Sequence, residues 1–340
     1  MTTTRRDFVA GLAAGSALLM TSAGRALAQN KPLRIAYVVP GTLGDKGFLD
    51  SGNVGIERAK AELGAETRVL QASPQDPQEW KRNLQAVSDG SYDIVVSGGS
   101  GPIVDAVTEV ATANPNQSYV FFAGDIVAPN VASIGFLYHE GSYLAGVLAA
   151  HVSRDTASFP LSRGNKTIGV VAGLDIPPIN AFIAGFKQGA LSVDPTINVL
   201  RTYAGTFADP NKGFAQTQAL YTQGADIVYA VAGGTGLGVL RASDSENLYS
   251  IGVDTDQNGL FPGHVLASMV LDIGETLIRS FNDFSAGRLA VGKTVRFGVK
   301  QNGVRLIVAE DSVPQSVRDA ISAARESIAS GAVIVDSVLS

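Results

Sequence analysis

Apolar runs of strand length alternate with amphipathic helical patterns along the first half of the chain. We predict strands at five such runs, which are 33–40, 68–72, 93–97, 118–123 and 131–136. Helices are predicted at 47–63 and 77–88, between the first of these strands. Continuous apolar strands with helices between them are typical of a parallel sheet that is covered on both faces. The first half therefore predicts one α/β lobe.

The pattern then begins again. Predicted helices at 140–151, 180–193, 212–223 and 238–243 alternate with predicted strands at 167–172, 199–203, 226–231 and 249–253. Residues 90–101 parallel residues 224–236, because each stretch has a helix end, an Asp-Ile-Val strand and a Gly-Gly-x-Gly loop. Two similar α/β halves imply a ligand cleft between them, with the carboxyl ends of the strands pointing into it.

The last third of the chain decides how the lobes divide. We predict a hairpin at 296–308 around Gln301-Asn302-Gly303 and a closing helix at 314–328. We expect lobe 1 to contain 32–137 with a stretch of about 255–290, and lobe 2 to contain 138–254 with about 291–340.

The N-terminus has the pattern of a twin-arginine export signal. Arg5 and Arg6 precede an apolar stretch at 8–20, and the small-x-small site at 26–28 follows. We therefore expect residues 1–28 to be removed near Ala28, the mature chain to begin near Gln29, and the folded product to reach the periplasm.

Composition excludes several classes of function. The chain contains no cysteine, so it has no disulfide, no thiolate metal site and no cysteine for lipid attachment. We expect a freely diffusing protein without a membrane anchor. Its formal net charge of −5 is unfavourable for nucleic-acid binding.

Two glycine-containing loops follow predicted strands and can approach a ligand through their backbone. In the loop 41–48, a ligand would meet N–H groups at a helix N-terminus. Phe48 can stack on a flat ligand there or belong to the core, and the sequence leaves both roles open. The glycines lack the dinucleotide-binding spacing, and the loop 233–236 lacks the Lys-Ser/Thr of a phosphate loop, which disfavours both nucleotide-binding classes.

Asp254 and Asp125 each follow a predicted strand. Either carboxylate can accept hydrogen bonds from a ligand or serve as a turn residue, and both readings stay open. Three histidines, His139, His151 and His264, do not have a metal-binding spacing, and no Gly-x-Ser-x-Gly motif is present. We therefore expect no cofactor and no enzymatic activity.

Six short segments occur in a fixed order along the chain. They are Gly44-Asp-Lys-Gly-Phe48, Glu140-Gly-Ser-Tyr-Leu-Ala-Gly146, Phe207-Ala-Asp-Pro210, Gly233-Gly-Thr-Gly236, Gly252-Val-Asp-Thr-Asp-Gln257 and Ser268-Met-Val270. Together they resemble the basic membrane protein (BMP) family of ABC-transporter substrate-binding proteins, which includes a purine nucleoside receptor. The resemblance covers nearly the whole mature chain. It implies a type I periplasmic-binding fold, in which two Rossmann-like lobes with a three-segment hinge close on a small ligand and deliver it to a membrane permease.

The resemblance also implies a set of ligand contacts. In nucleoside-binding members the base lies between two aromatic rings, and the matching positions here are Phe48 and Phe207. The other implied contacts are polar groups at Asp254 and Asp125, the backbone of Gly234, Asn180 from the second lobe, and Asp45 and Lys46 of the first motif.

One position departs from the family pattern. Nucleoside-binding members commonly have a lysine after Ser-Met-Val that reaches the ribose, whereas this chain has Leu271. Loss of a buried charge-assisted hydrogen bond costs about 1.5–3 kcal/mol. We therefore expect a monomer that binds a purine-type ligand, with the free base slightly favoured over the nucleoside.

Two other functions stay open at this point. An enzyme that cleaves nucleosides could use Asp254 as its acid or nucleophile. A ligand-sensing subunit could pass the bound ligand to a signalling protein.

The export signal makes a direct prediction. Replacing Arg5 and Arg6 by Lys should block export, because the twin-arginine route requires the arginine pair. Cell fractionation should then find the unprocessed chain in the cytoplasm, and normal processing would contradict the assignment.

Overall fold

The structure is a computed structural model, and it describes residues 31–44 and 46–339. The predicted signal peptide, 1–28, and Asp45 lie outside the described residues. Within this part of the chain no helix is long and apolar enough to cross a membrane.

Twelve strands and nine α-helices make up the described chain. The strands are β1 (Arg34–Val39), β2 (Glu66–Gln71), β3 (Ile94–Gly98), β4 (Ser118–Phe122), β5 (Val131–Phe136), β6 (Thr167–Ala172), β7 (Asn198–Tyr203), β8 (Ile227–Val231), β9 (Tyr249–Asp254), β10 (Val265–Leu271), β11 (Lys293–Phe297) and β12 (Val304–Val308). The helices are α1 (Phe48–Leu63), α2 (Pro77–Ala86), α3 (Pro102–Ala113), α4 (Tyr138–Arg154), α5 (Pro177–Val193), α6 (Pro210–Thr222), α7 (Gly236–Ser245), α8 (Ile273–Ser285) and α9 (Gln315–Ser330).

The strands form two six-stranded sheets with matching order. The first sheet has the order β11-β5-β4-β3-β1-β2, and the second has β12-β10-β9-β8-β6-β7. β12 pairs antiparallel with β10, and the remaining pairings of both sheets are parallel. The expected α/β fold of two Rossmann-like lobes is confirmed.

The chain passes between the lobes at three places in the described residues, and these places form the hinge. The crossings lie at Leu137, at Asp272 and at 298–303. The Leu137 N–H donates to the Phe297 carbonyl at 3.0 Å, and the Asp272 N–H donates to the Gly303 carbonyl at 2.9 Å. A side chain ties the same segments together, because Glu140 Oε2 accepts the Val299 N–H at 2.7 Å.

The last third of the chain divides differently from our expectation. The predicted hairpin at 296–308 is wrong, because β11 pairs with β5 in the first sheet whereas β12 pairs with β10 in the second. β10 lies within the stretch expected in lobe 1 but pairs with β9 of the second sheet. The physical reason is that 298–303 is a hinge crossing, which resembles a hairpin turn in sequence.

The internal repeat seen in the sequence has a structural basis. Asp93, just before β3, accepts the backbone N–H of Arg34 at 2.8 Å. Its counterpart Asp226, just before β8, accepts the N–H groups of Arg163 and Asn165, both at 2.9 Å. Each Asp-Ile-Val aspartate therefore fixes the start of the first strand in its own lobe.

The helices α4 and α5 pack unusually closely in lobe 2. A Cβ atom at Gly146 would overlap the Phe186 carbonyl oxygen, and one at Gly185 would overlap the carbonyl oxygen of His139. Glycine is required at these positions because the two backbones are in direct contact. This helix pair forms a rigid base directly after the first hinge crossing.

Replacing Gly146 by Ala should destabilise the protein by about 1–3 kcal/mol, because the added methyl group forces the helices apart. Denaturant unfolding measures this change. Gly259→Ala is the matched control, since a Cβ there meets nothing within 4 Å. Equal stability of the two variants would show that the α4–α5 contact adjusts without cost.

Candidate functional site

The carboxyl edges of the two sheets face each other. The loop between β1 and α1 belongs to lobe 1, and the loop after β9 belongs to lobe 2. These loops touch, because the backbone carbonyl of Lys46 accepts hydrogen bonds from Thr255 Oγ1 and from Gln257 Nε2, the latter at 3.2 Å. The predicted cleft therefore lies between the strand ends, where α/β proteins bind ligands.

Phe48 is the first residue of α1 and lies on the lobe 1 side of this cleft. Its ring is half-buried, and its centroid is 5.2 Å from that of Phe122 in a tilted arrangement. Phe122 in turn lies against Gly98, where a Cβ atom would overlap its ring. Phe48 thus packs on the core of lobe 1 through Phe122, while part of its ring stays accessible.

Phe207 occupies the loop between β7 and α6 of lobe 2. Its ring is half-buried and lies over Gly173, at the end of β6, where any Cβ atom would overlap the ring. Its carbonyl accepts the N–H of Thr235 at 3.0 Å, and Phe207 lies against Gly233, where a Cβ atom would come within 3.5 Å of its Cβ. Gly234 is buried in the same loop. Each lobe therefore places one partly exposed phenylalanine at its carboxyl edge.

Asp254 has an unusual backbone conformation. It ends β9 with φ of 69°, and its side chain is 6% exposed. The Thr255 N–H donates to the Val253 carbonyl at 2.9 Å, which closes a three-residue turn around Asp254. Such turns are rare and strained for residues other than glycine. A buried carboxylate in a strained turn at a strand end is a good candidate for a ligand contact.

Two of the predicted polar contacts are engaged within their own lobes. Both carboxylate oxygens of Asp125 accept hydrogen bonds from Arg296 Nη2, at 2.7 and 2.9 Å. Asn180 donates to Asp175 Oδ1 at 2.8 Å and accepts from the Tyr203 hydroxyl at 2.7 Å. Their predicted contact with a ligand stays a prediction, and it would involve these partners as well.

The structure gives Lys46 a role that the sequence did not indicate. Its side chain is exposed, and its backbone carbonyl forms the interlobe contact described above. The predicted ligand contact of Asp45 concerns a residue outside the described part of the chain.

Tyr138 is a further residue near the site, and it was not among the site residues predicted from the sequence. It follows the first hinge crossing and stacks on Phe182, with ring centroids 4.7 Å apart. Burial, followed by the negative charges of Asp254 and Asp125, raises the pKa of Tyr138, so its hydroxyl keeps its proton at neutral pH. Tyr138 directly follows Leu137, so it lies at the hinge end of the cleft. Its place two residues before the segment Glu140–Gly146 was the available signal in the sequence.

Leu271 ends β10 at the second hinge crossing. Its side chain is 1% exposed and belongs to the core, while its carbonyl accepts the Ser51 hydroxyl at 3.0 Å. The side chain at this position therefore supplies no polar donor to the cleft.

Cavities and clusters elsewhere do not compete with this site. A cavity of about 290 Å³ lies at the distal end of lobe 2, and one of about 610 Å³ lies between α4, α5 and the C-terminal segment. Neither contains a predicted site residue. Among the described residues, no group of three or more His, Asp or Glu side chains could hold a metal ion.

A family model described as ABC transporter substrate-binding protein PnrA-like matches residues 33–337. The chain belongs to this family. The expected relationship to the basic membrane proteins is thereby confirmed. Substrate-binding proteins of ABC importers bind small molecules and work with a membrane permease, so this is the general function of the chain.

Individual relatives agree with the family match. The chain is 30% identical over 278 residues to the ABC transporter nucleoside-binding protein BmpA of Lactococcus lactis, covering 76% of this chain and 75% of the relative. It is 25% identical over 309 residues to basic membrane protein A of Borreliella afzelii, covering 89% and 91%. A solute-binding protein structure from Aeropyrum pernix superposes with a TM-score of 0.80 at 24% identity, covering 91% of this chain and 94% of that one. This last similarity supports the fold.

The strained turn at Asp254 can be tested by a pair of substitutions. Asp254→Gly and Asp254→Ala both remove the carboxylate, but only glycine adopts positive φ without strain. The glycine variant should be more stable than the alanine variant by about 1 kcal/mol. Denaturant unfolding with equal m-values measures the difference. Equal stability would show that the turn relaxes to an ordinary conformation.

Proposed function

We propose that this PnrA-like protein is the receptor of an ABC importer for a purine-type ligand, with the free base favoured over the nucleoside. The observation that carries the proposal is the pair of half-buried rings, Phe48 and Phe207, one at the carboxyl edge of each lobe. Stacking of a base on an aromatic side chain contributes about 1–3 kcal/mol. Closure of the lobes would bring both rings to the faces of a flat ligand.

The polar groups near the rings suit a purine. Purine bases carry ring and exocyclic N–H donors, and the Asp254 carboxylate would accept one of them. The Tyr138 hydroxyl would offer a neutral donor or acceptor at the hinge end of the cleft. The Lactococcus relative that is named nucleoside-binding supports a ligand that contains a nucleobase.

The preference for the free base depends on Leu271. A ribose has several hydroxyl groups that lose water on binding and require partners. Leu271 is buried in the core and provides none, so the sugar would gain no hydrogen bond from the side chain at this position.

A role as receptor rather than enzyme is part of the proposal. Cleavage of a nucleoside would need a carboxylate beside the sugar, with either an activated water molecule or a phosphate. Asp125 forms an ion pair with Arg296, and Asp254 is held in the strained turn at the end of β9. We also propose that the protein works in the periplasm, on the strength of the signal pattern at 5–28.

Calorimetric titration should identify the ligand among adenine, guanine, hypoxanthine, their three nucleosides, ribose and leucine. We expect at least one base to bind more tightly than its nucleoside. Phe207→Ala should weaken that ligand more than tenfold, which is about 1.4 kcal/mol. Phe214→Ala is the matched control, because Phe214 is a half-buried ring of the same lobe that packs under Arg241.

Several outcomes would contradict parts of this proposal. Binding of nucleosides without bases would overturn the preference for the free base and retain the purine site. Binding of ribose or leucine alone would overturn the purine assignment. Steady release of base from a nucleoside in the titration cell would overturn the receptor role, and an unchanged affinity of Phe207→Ala would remove that ring from the site.

A further inference from the structure

The motif Gly252–Gln257 contains more than the predicted ligand contact at Asp254. Thr255 and Gln257 both donate to one acceptor in the other lobe, the backbone carbonyl oxygen of Lys46. This interlobe contact joins the loop after β9 to the loop before α1. It joins the carboxyl edges through side chains and a backbone carbonyl, in addition to the three covalent crossings of the hinge.

Gln257 is fixed before it reaches across. Its Oε1 accepts the Val253 N–H at 3.1 Å, and its own N–H donates to Ser268 Oγ at 2.9 Å. The side chain is 3% exposed. The Gln257 side-chain amide therefore connects the two parts: its oxygen binds Val253, the first residue of the strained turn, and its nitrogen binds the opposite lobe.

Thr255 holds the other side of the same turn. Its N–H closes the turn on the Val253 carbonyl at 2.9 Å, while its hydroxyl donates to Lys46. Both residues that flank Asp254 are thus tethered, Val253 by Gln257 and Thr255 by the opposite lobe. A change in the interlobe contact must act directly on the turn that carries the Asp254 carboxylate.

The acceptor is also held in an unusual conformation. Lys46 has φ of 53°, and its N–H donates to Asp50 Oδ2 at 2.6 Å. The Gly44 N–H donates to both oxygens of Asp50, at 2.9 and 3.1 Å. Asp50 lies in the first turn of α1, two residues after Phe48. One carboxylate therefore sets the loop so that the Lys46 carbonyl points at lobe 2.

We propose that Thr255 and Gln257 are positioning residues that hold Asp254 in its positive-φ turn conformation. Through their hydrogen bonds to the Lys46 carbonyl, they also couple that conformation to lobe closure. The effect on ligand affinity rests on the proposed function, whereas the effect on lobe closure does not. In the open form, water would bind the Lys46 carbonyl in place of the Thr255 hydroxyl and the Gln257 amide. Because the net gain of each hydrogen bond is small, each one raises the closed-to-open ratio by roughly three- to tenfold. The contact thus biases closure without locking it.

Lobe closure can be measured without any ligand. The chain has no cysteine, so Gln75→Cys in lobe 1 and Lys212→Cys in lobe 2 provide two unique, exposed sites for spin labels. Thr255→Val keeps the shape of the side chain and removes the donor. We expect it to reduce the short-distance, closed population severalfold in the ligand-free protein, and Thr255→Ser should restore the original distribution.

A matched control separates the contact from a general effect of the substitution. Thr222→Val removes a hydroxyl that bonds only within its own helix, to the Gln218 carbonyl at 2.9 Å, and should leave the distances unchanged. A distance distribution of Thr255→Val equal to that of the parent would overturn the proposal.

The coupling between the interlobe contact and Asp254 is tested by measuring the affinity of the protein for its ligand. With adenine and guanosine as probes, Thr255→Val should raise Kd roughly three- to tenfold, mainly through faster dissociation. Gln257→Glu keeps the acceptor for Val253 and places a carboxylate against the Lys46 carbonyl, so its effect should be at least as large. If the parent protein binds neither probe, the purine assignment fails and the distance measurement still decides the interlobe contact. If Thr255→Val opens the lobes but leaves Kd unchanged, the coupling to Asp254 is refuted.

Discussion

The cleft depends on one topological constraint, which is that two parallel sheets are joined by three crossings on the same side. β5 and β10 each run directly into a crossing, at Leu137 and Asp272. The Leu137 N–H donates to Phe297, just before the third crossing at 298–303, and the Asp272 N–H donates to Gly303 within it. Parallel strands in each sheet end at one edge, so the crossings orient both carboxyl edges toward the same space. Every predicted ligand contact within the described residues comes from a strand end, a loop or the first turn of a helix at these edges.

Glycine makes the side chains at these edges fit. Phe122, which supports Phe48, lies against Gly98, and Phe207 lies over Gly173. Arg296 crosses Gly135, where a Cβ would come within 3.1 Å of its Cγ. In each case a large side chain lies flat on a strand end because the strand lacks a side chain there. Glycine is frequent at the ends of apolar runs in the sequence. At these positions it makes room for large side chains that pack on the strand ends, in addition to allowing tight turns.

Local pattern predicted most of the elements, because strand and helix periods are properties of short segments. The repeat around Asp93 and Asp226 even predicted the duplication of lobes. Pattern could not assign 293–308 to sheets, since a strand's sequence does not name its partner. It also could not find the pairing of Asp125 with Arg296, which are 171 residues apart. Tyr138 was not predicted as a site residue for the same reason. Its place beside the cleft depends on the hinge, which brings together segments that are far apart in the sequence.

A receptor that delivers its ligand must close and also open again. The described contact between the carboxyl edges consists of polar groups around the Lys46 carbonyl, and a hydrogen bond that water can replace contributes little net free energy. An extensive apolar contact at this place would favour the closed form even without ligand and hinder release. A weak polar contact leaves the ligand to supply most of the closing free energy. The strained turn at Asp254 agrees with a weak interlobe contact. The conformational strain of the turn is offset by the hydrogen bonds that hold Val253 and Thr255, and the bond of Thr255 depends on the opposite lobe.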